Sequence, residues 1–150
     1  MWYSKLEELR NEKLMYGELI NSGALEAELS NFGKAVKEKL NIELPEEYIT
    51  ALKTVNGLEF NCFILYGIDE EYLEKSPNQQ ITGLISLNQI WYENESQKDY
   101  LFLGESNISW YVYKINVKEY LELDNPSGRE MLKFKTFDEM FEKLITDSLL

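Results

Sequence analysis

Between Tyr100 and Lys135 the chain reads as a succession of strands with no helical period between them. "YLFLGES" and "ISWYVYKIN" are joined by a tight "GESN" turn, and "EYLELD-NPSGRE-MLKFK" is a hairpin around a Pro/Ser/Gly turn. In the second run Trp110 and Val112 point one way and Tyr111, Tyr113 and Ile115 the other, so both faces carry bulky side chains. Neither face is simply solvated, and the rest of the chain must supply cover.

The cover is helical. Trp2–Met15 is predicted as a helix with Leu6 and Leu9 on one face. Leu25, Leu29, Phe32, Val36 and Leu40 recur at three- and four-residue steps, which predicts a second helix over Leu25–Leu40. "LPEEYITALKTVNGLEF" opens a third helix at Pro45, whose missing N–H has no partner in a first turn, with Glu46 and Glu47 at the positive end of the dipole. Tyr48, Ile49, Leu52 and Val55 form its inward side, and Asn56-Gly57 reads as its C-cap.

Next, "LEFNCFILYG" reads as one apolar, central strand; "IDEEYLEKSPNQQ" as a loop with a helical turn; and "ISLNQIWYENES" as a short strand followed by a short helix. Phe137, Met140, Phe141, Leu144 and Ile145 follow the i, i+3, i+4, i+7, i+8 pattern of a last helix, with Thr136 and Glu139 as its capping box. The expected product is one α+β domain over residues 1–150. Its sheet is mixed or antiparallel, of about five or six strands, with N-terminal helices and a C-terminal helix packed on it.

Composition narrows the chemistry. The 27 acidic against 15 basic residues give a net charge of −12, which repels phosphate backbones and anionic lipid. Direct nucleic-acid or membrane binding is therefore not expected; the charge suits solubility or a basic partner, and an ordinary acidic cytosolic protein is the favoured reading. There is no histidine, which removes Ser-His-Asp and Cys-His catalysis and most transition-metal sites. No glycine-rich phosphate loop is present, and no cofactor or metal site is expected. Cys62, the one cysteine, lies in the apolar run "CFILY" and reads as a buried structural thiol. The N-terminus lacks the apolar stretch of a signal peptide, so a cytoplasmic protein is expected.

Two carboxylate groupings stand out: Asp69, Glu70, Glu71 and Glu74, and Glu119, Glu122 and Asp124. In so acidic a chain a solvated surface is favoured over a catalytic pair. The aromatic residues Trp91, Tyr92, Tyr100, Trp110, Tyr111 and Tyr113 either fill the space between sheet and helices or line a binding groove. The partner-binding candidates are Asp69, Glu70, Glu71 and Glu74, with Trp91, Tyr92, Tyr111 and Tyr113. No residue is assigned a catalytic role, and the oligomeric state stays open.

The segment Leu44, Pro45, Glu47, Tyr48, Leu52, Asn56 and Gly57, followed by a strand ending in Tyr66-Gly67, resembles the signature of the SUKH superfamily, named partly for yeast cell-wall-synthesis regulators. "IWYENES", "YLFLGESNISWYVYKI", "LDNPSG" and the helix from Phe137 extend the similarity from about Leu25 to Ile145, and liken it to the bacterial YrhA-type branch. The resemblance implies an α+β fold with a curved mixed sheet. It also implies that the motif residues Leu44, Pro45, Tyr48, Asn56, Gly57, Gly67, Gly104, Trp110 and Gly128 are structural, with Pro45 and Gly57 bracketing a helix and Gly104 and Gly128 serving turns. Many bacterial members are immunity proteins that bind and neutralise a toxin domain, often a nuclease. The yeast relatives suggest the alternative of a regulatory scaffold for host proteins.

Overall fold

The computed structural model describes residues 1–150. Three helices come first: α1 (Trp2–Leu14), α2 (Glu26–Leu40) and α3 (Glu46–Thr54). They are followed by β1 (Leu58–Phe60), β2 (Phe63–Leu65), α4 (Leu84–Trp91), β3 (Tyr100–Glu105), β4 (Ser109–Lys114), β5 (Glu119–Asp124), β6 (Glu130–Phe134) and α5 (Phe137–Ser148). All six strands form one open sheet whose spatial order is the chain order, each pair antiparallel. No helix is long and apolar enough to cross a membrane.

The faces of the central strands sort as the alternation requires. Tyr111 pairs with Glu122 and Tyr113 with Tyr120, so these share one face; Trp110 pairs with Leu123 and Val112 with Leu121 on the other. α5 covers the first face, where its Phe137 packs edge-on against Tyr120 and, across the core, against Tyr48. α1 lies against α5: Trp2 packs on Phe141 at 4.9 Å and its indole N–H donates to Asp138 at 3.0 Å. Trp91 of α4 packs on Phe102 and Trp110 of the second face. Thr136 caps α5 as predicted by accepting the Glu139 N–H, while Glu139 reaches back to the Lys135 N–H.

Four local expectations are corrected. "LEFNCFILYG" is not one central strand but a hairpin at the edge of the sheet. Asn61 (φ 49°) and Cys62 (φ 69°) both lie in the left-handed region, the geometry of a two-residue primed turn that closes Phe60 onto Phe63. Cys62 therefore sits exposed at a turn, not buried in a core. "ISLNQIWYENES" contains no strand; α4 starts directly at Leu84, so the helical spacing of Leu84, Leu87 and Trp91 decides the segment. Glu122 is buried rather than solvated: Ser109 donates to its carboxylate at 2.7 Å and the Lys143 ammonium lies 3.2 Å away.

Two motif roles also change. α3 ends at Thr54 with Val55 extended, so Asn56-Gly57 is a turn beyond the helix rather than its C-cap. Asn56 is a buried junction: its side-chain oxygen accepts the Ile68 N–H and its carbonyl accepts the Asn21 amide. Gly57 (φ 79°) lies so close to Gly67 that a Cβ on Gly67 would stand 2.9 Å from the Gly57 Cα. Gly104 is not in a turn; it lies inside β3 beside a bulge, where a Cβ would stand 2.5 Å from the Ile64 carbonyl oxygen.

Both sheet edges are blunted. On β1 the Lys13 ammonium donates to the Glu59 carbonyl at 2.9 Å. On β6 a register shift opposite Glu122 and Leu123 interrupts the ladder, and Glu130 and Lys133 flank the exposed Met131 and Leu132. A bulge with charged neighbours is a poor template for another strand.

Candidate partner-binding surface

The loop after β2 carries the acidic candidates, and its backbone is anchored by buried carboxylates and amides. Asp69 is buried, and its carboxylate accepts the Ile85 N–H, the Ser86 N–H and the Ser86 hydroxyl at 3.0, 3.0 and 2.7 Å. It thus caps the first turn of α4 from a distant segment, satisfying amides that have no partner inside the helix. Gly83 leaves the room for this, since a Cβ there would lie 2.2 Å from Asp69 Oδ2. Further along, Glu28 of α2 accepts the Glu74 N–H at 2.9 Å and the Leu25 N–H at 2.8 Å. Asn21 accepts the Gln79 N–H, and Asn78 donates to the Ile20 carbonyl.

Held this way, the loop becomes a ridge. One groove of about 470 Å³ runs along Glu70, Glu74, Lys75, Asn78 and Gln80. A second, of about 440 Å³, lies on the α2 side along Lys34, Glu38, Glu71, Tyr72 and Glu74. Leu73 and Glu74 line both, so they form the crest. Glu70, Glu71 and Glu74 are exposed, and none of them forms an ion pair within the fold. Three carboxylates outside any close ion pair thus face water on this ridge, with Lys34 and Lys75 lining the same grooves and Lys39 near enough to feel the Glu71 charge.

The aromatic candidates are placed differently. Trp91 is half-buried, and its indole N–H donates to the Tyr66 hydroxyl at 3.1 Å, which in turn donates to Glu105 at 2.6 Å. Burial, then the Glu105 charge, pushes the Tyr66 pKa well above its ordinary value. Tyr92 donates its hydroxyl to the Tyr100 carbonyl, and burial raises its pKa as well. Tyr111 is fully enclosed, with no hydrogen-bond partner for its hydroxyl; burial, then the carboxylates of Glu122 and Asp147, drives its pKa up. Tyr113 is half-buried and packs on Tyr120 at 5.0 Å. Glu70, Glu71 and Glu74 thus come together on one ridge, Asp69 lies beneath it, and the four aromatics belong to the sheet and its packing.

The junction role of Asn56, and Asn88 altogether, escape sequence reasoning. Asn56 is the junction described above. Asn88 of α4 accepts the Phe102 N–H at 2.8 Å and donates to the Phe102 and Leu84 carbonyls at 2.9 and 2.8 Å, so one amide satisfies both backbone groups of Phe102. Its spacing in an apolar helical run is the one signal it offers, because a polar residue facing inward needs partners.

An α+β domain with a six-stranded antiparallel meander and a solvent-facing acidic ridge is the class these features define. The SUKH_6 model, described as SMI1-KNR4 cell-wall, matches residues 34–139, from the middle of α2 to the first turn of α5. The chain belongs to that family, within the SUKH superfamily. Comparison with curated proteins returned no match.

Proposed function

We propose that this protein is a cytoplasmic immunity protein of the YrhA-type branch, which neutralises a cognate bacterial toxin domain by forming a stoichiometric complex with it. The observation that carries this reading is the ridge of Glu70, Glu71 and Glu74, exposed and without internal partners on a chain of net charge −12. Toxins that act on nucleic acid carry basic clefts, and carboxylates on a fixed ridge stand in for phosphates there. Such complementarity raises association rates by about 10–1,000-fold and weakens with salt. Inhibition by occupancy requires no catalytic group of this chain, which fits a protein without histidine.

The test is co-expression with the toxin encoded beside the gene. Rescue of growth and a one-to-one complex by size-exclusion chromatography are expected. Capture of host regulatory proteins, with no effect on any neighbouring toxin, would instead favour a scaffold.

A further inference from the structure

The end of α1 is the second conspicuous surface, and it lies outside the span 34–139 that the family model matches. Leu14, Met15, Tyr16 and Leu19 are 48, 77, 72 and 57% exposed, four large apolar side chains within six residues. Scattered apolar residues on a surface need no explanation, but four exposed ones within six residues make this end of α1 a candidate interaction site. Tyr16 opens onto a cavity of about 470 Å³, bounded by Glu12, Glu18, Glu59, Phe60, Cys62 and Leu149.

Three glutamates therefore share this cavity with the apolar side chains of Tyr16, Phe60 and Leu149 and with Asn61. The lysine present, Lys13, is already engaged: it donates to the Glu59 carbonyl, pairs with Glu18 at 3.4 Å and sits over the Phe60 ring. This cavity and the groove along the acidic ridge share Gln79, whose buried side-chain oxygen has no hydrogen-bond partner.

We propose that the end of α1 and the acidic ridge form one continuous docking surface for an amphipathic, basic segment of the partner protein. Apolar side chains of that segment seat against Leu14, Met15, Tyr16 and Leu19, while its lysines and arginines lie over Glu12, Glu18 and Glu59 and continue towards Glu70 and Glu74. Gln79, between the two parts, accepts a hydrogen bond from the arriving chain. The proposal rests on the reading of the protein as a partner-binding module and specifies the binding face. An apolar anchor beside a charged rim is the usual anatomy of a specific interface. A second copy of this chain does not fit, because a symmetric contact would bring the glutamates of two copies together, and the same charge repels anionic membranes.

Cys62, the sole cysteine, is exposed and lines this cavity, so its reactivity reports occupancy. The probe is a leucine–lysine amphipathic helical peptide of about 14 residues, and the readout is the rate at which a maleimide labels Cys62. The peptide is expected to slow labelling by about tenfold at saturation. A leucine–glutamate peptide should give no protection. Tyr16→Ser/Leu19→Ser, which removes the apolar anchor without adding charge and leaves the circular dichroism spectrum and melting temperature unchanged, should abolish it. Absence of protection by the lysine peptide, or protection that survives the double substitution, overturns the proposal.

The same variant in the co-expression assay separates this inference from the function. If a toxin is neutralised equally by wild type and by Tyr16→Ser/Leu19→Ser, the docking surface is wrong and the immunity reading stands. If no toxin is neutralised, that reading fails, while the labelling experiment still decides the surface.

Discussion

Beside the β3–β4 hairpin the polar tips of Tyr66, Trp91 and Tyr92 are engaged inside the protein. Tyr66 donates to Glu105, Trp91 to Tyr66, and Tyr92 to the Tyr100 carbonyl. Along Glu70–Gln80 the backbone is anchored just as firmly, yet the carboxylates of Glu70, Glu71 and Glu74 have no partner in the fold. Both regions are rich in residue types that partners recognise. What separates them is whether the recognising group is already satisfied. A hydrogen-bonded, half-buried tyrosine must break an interaction before it can bind, whereas an exposed carboxylate on a rigid ridge gives up only water.

The largest expected effect tests the internal side of this contrast. Burial comes first among the causes that raise the pKa values of Tyr48, Tyr66 and Tyr111 above normal. In the unfolded chain a tyrosine ionises near pH 10 or so. The folded state holds these protons at higher pH, so unfolding releases them. Their contribution is fully present below about pH 10 and is lost as pH rises, by up to about 1.4 kcal/mol per pH unit for each group. An alkaline titration following tyrosinate absorbance and circular dichroism should show a set of tyrosines ionising only with the loss of structure. Complete ionisation of all tyrosines with the dichroism intact would break the comparison.

Asp69→Ala comes next. It strips three hydrogen bonds from a buried acceptor and leaves the first amides of α4 uncapped. Urea denaturation should show a loss of about 3 kcal/mol. Its neighbour in sequence, Glu70→Ala, should change stability by no more than about 0.5 kcal/mol. Equal effects from the two would mean that the acidic run is a single class after all. Tyr66→Phe is smaller, about 1–2 kcal/mol, because Trp91 loses its acceptor while the half-exposed Glu105 regains water. The same denaturation curve, read by tryptophan fluorescence, measures it.

Asp69 and Glu70 also show how much was legible in the sequence. Period and punctuation identified the hairpins from Tyr100 to Phe134 and the capped last helix, because those signals are local. The Asn61-Cys62 turn was hidden: asparagine tolerates positive φ, but cysteine is not a turn residue and the flanking apolar runs merge into one. Nothing local distinguishes Asp69 from the three glutamates after it. Its role depends on Ser86, seventeen positions away, reaching it through the fold. The same holds for Glu122, which looked solvated until α5 placed Lys143 against it. Residues whose function is to satisfy a distant backbone or charge are illegible in one dimension. The exposure of Leu14, Met15, Tyr16 and Leu19 likewise follows from what the fold leaves uncovered.

The smallest effect on the fold should accompany a clear effect on association. Glu70→Gln/Glu71→Gln/Glu74→Gln removes three negative charges from the ridge, and none of the three side chains forms an ion pair whose loss would matter. The Glu28 bond to the Glu74 N–H is a backbone contact and survives the change. Stability should therefore stay within about 0.5 kcal/mol of wild type. Stopped-flow mixing with the cognate toxin domain should show an association rate lowered by about tenfold at low salt, with a flatter dependence on ionic strength, and a dissociation rate changed far less. If association is untouched at every salt concentration while the apolar anchor at Tyr16 and Leu19 still matters, steering comes from the overall charge of −12 and not from the ridge. If the dissociation rate changes most, the carboxylates are buried in the complex and hold it together, which would turn the ridge from a guide into an anchor.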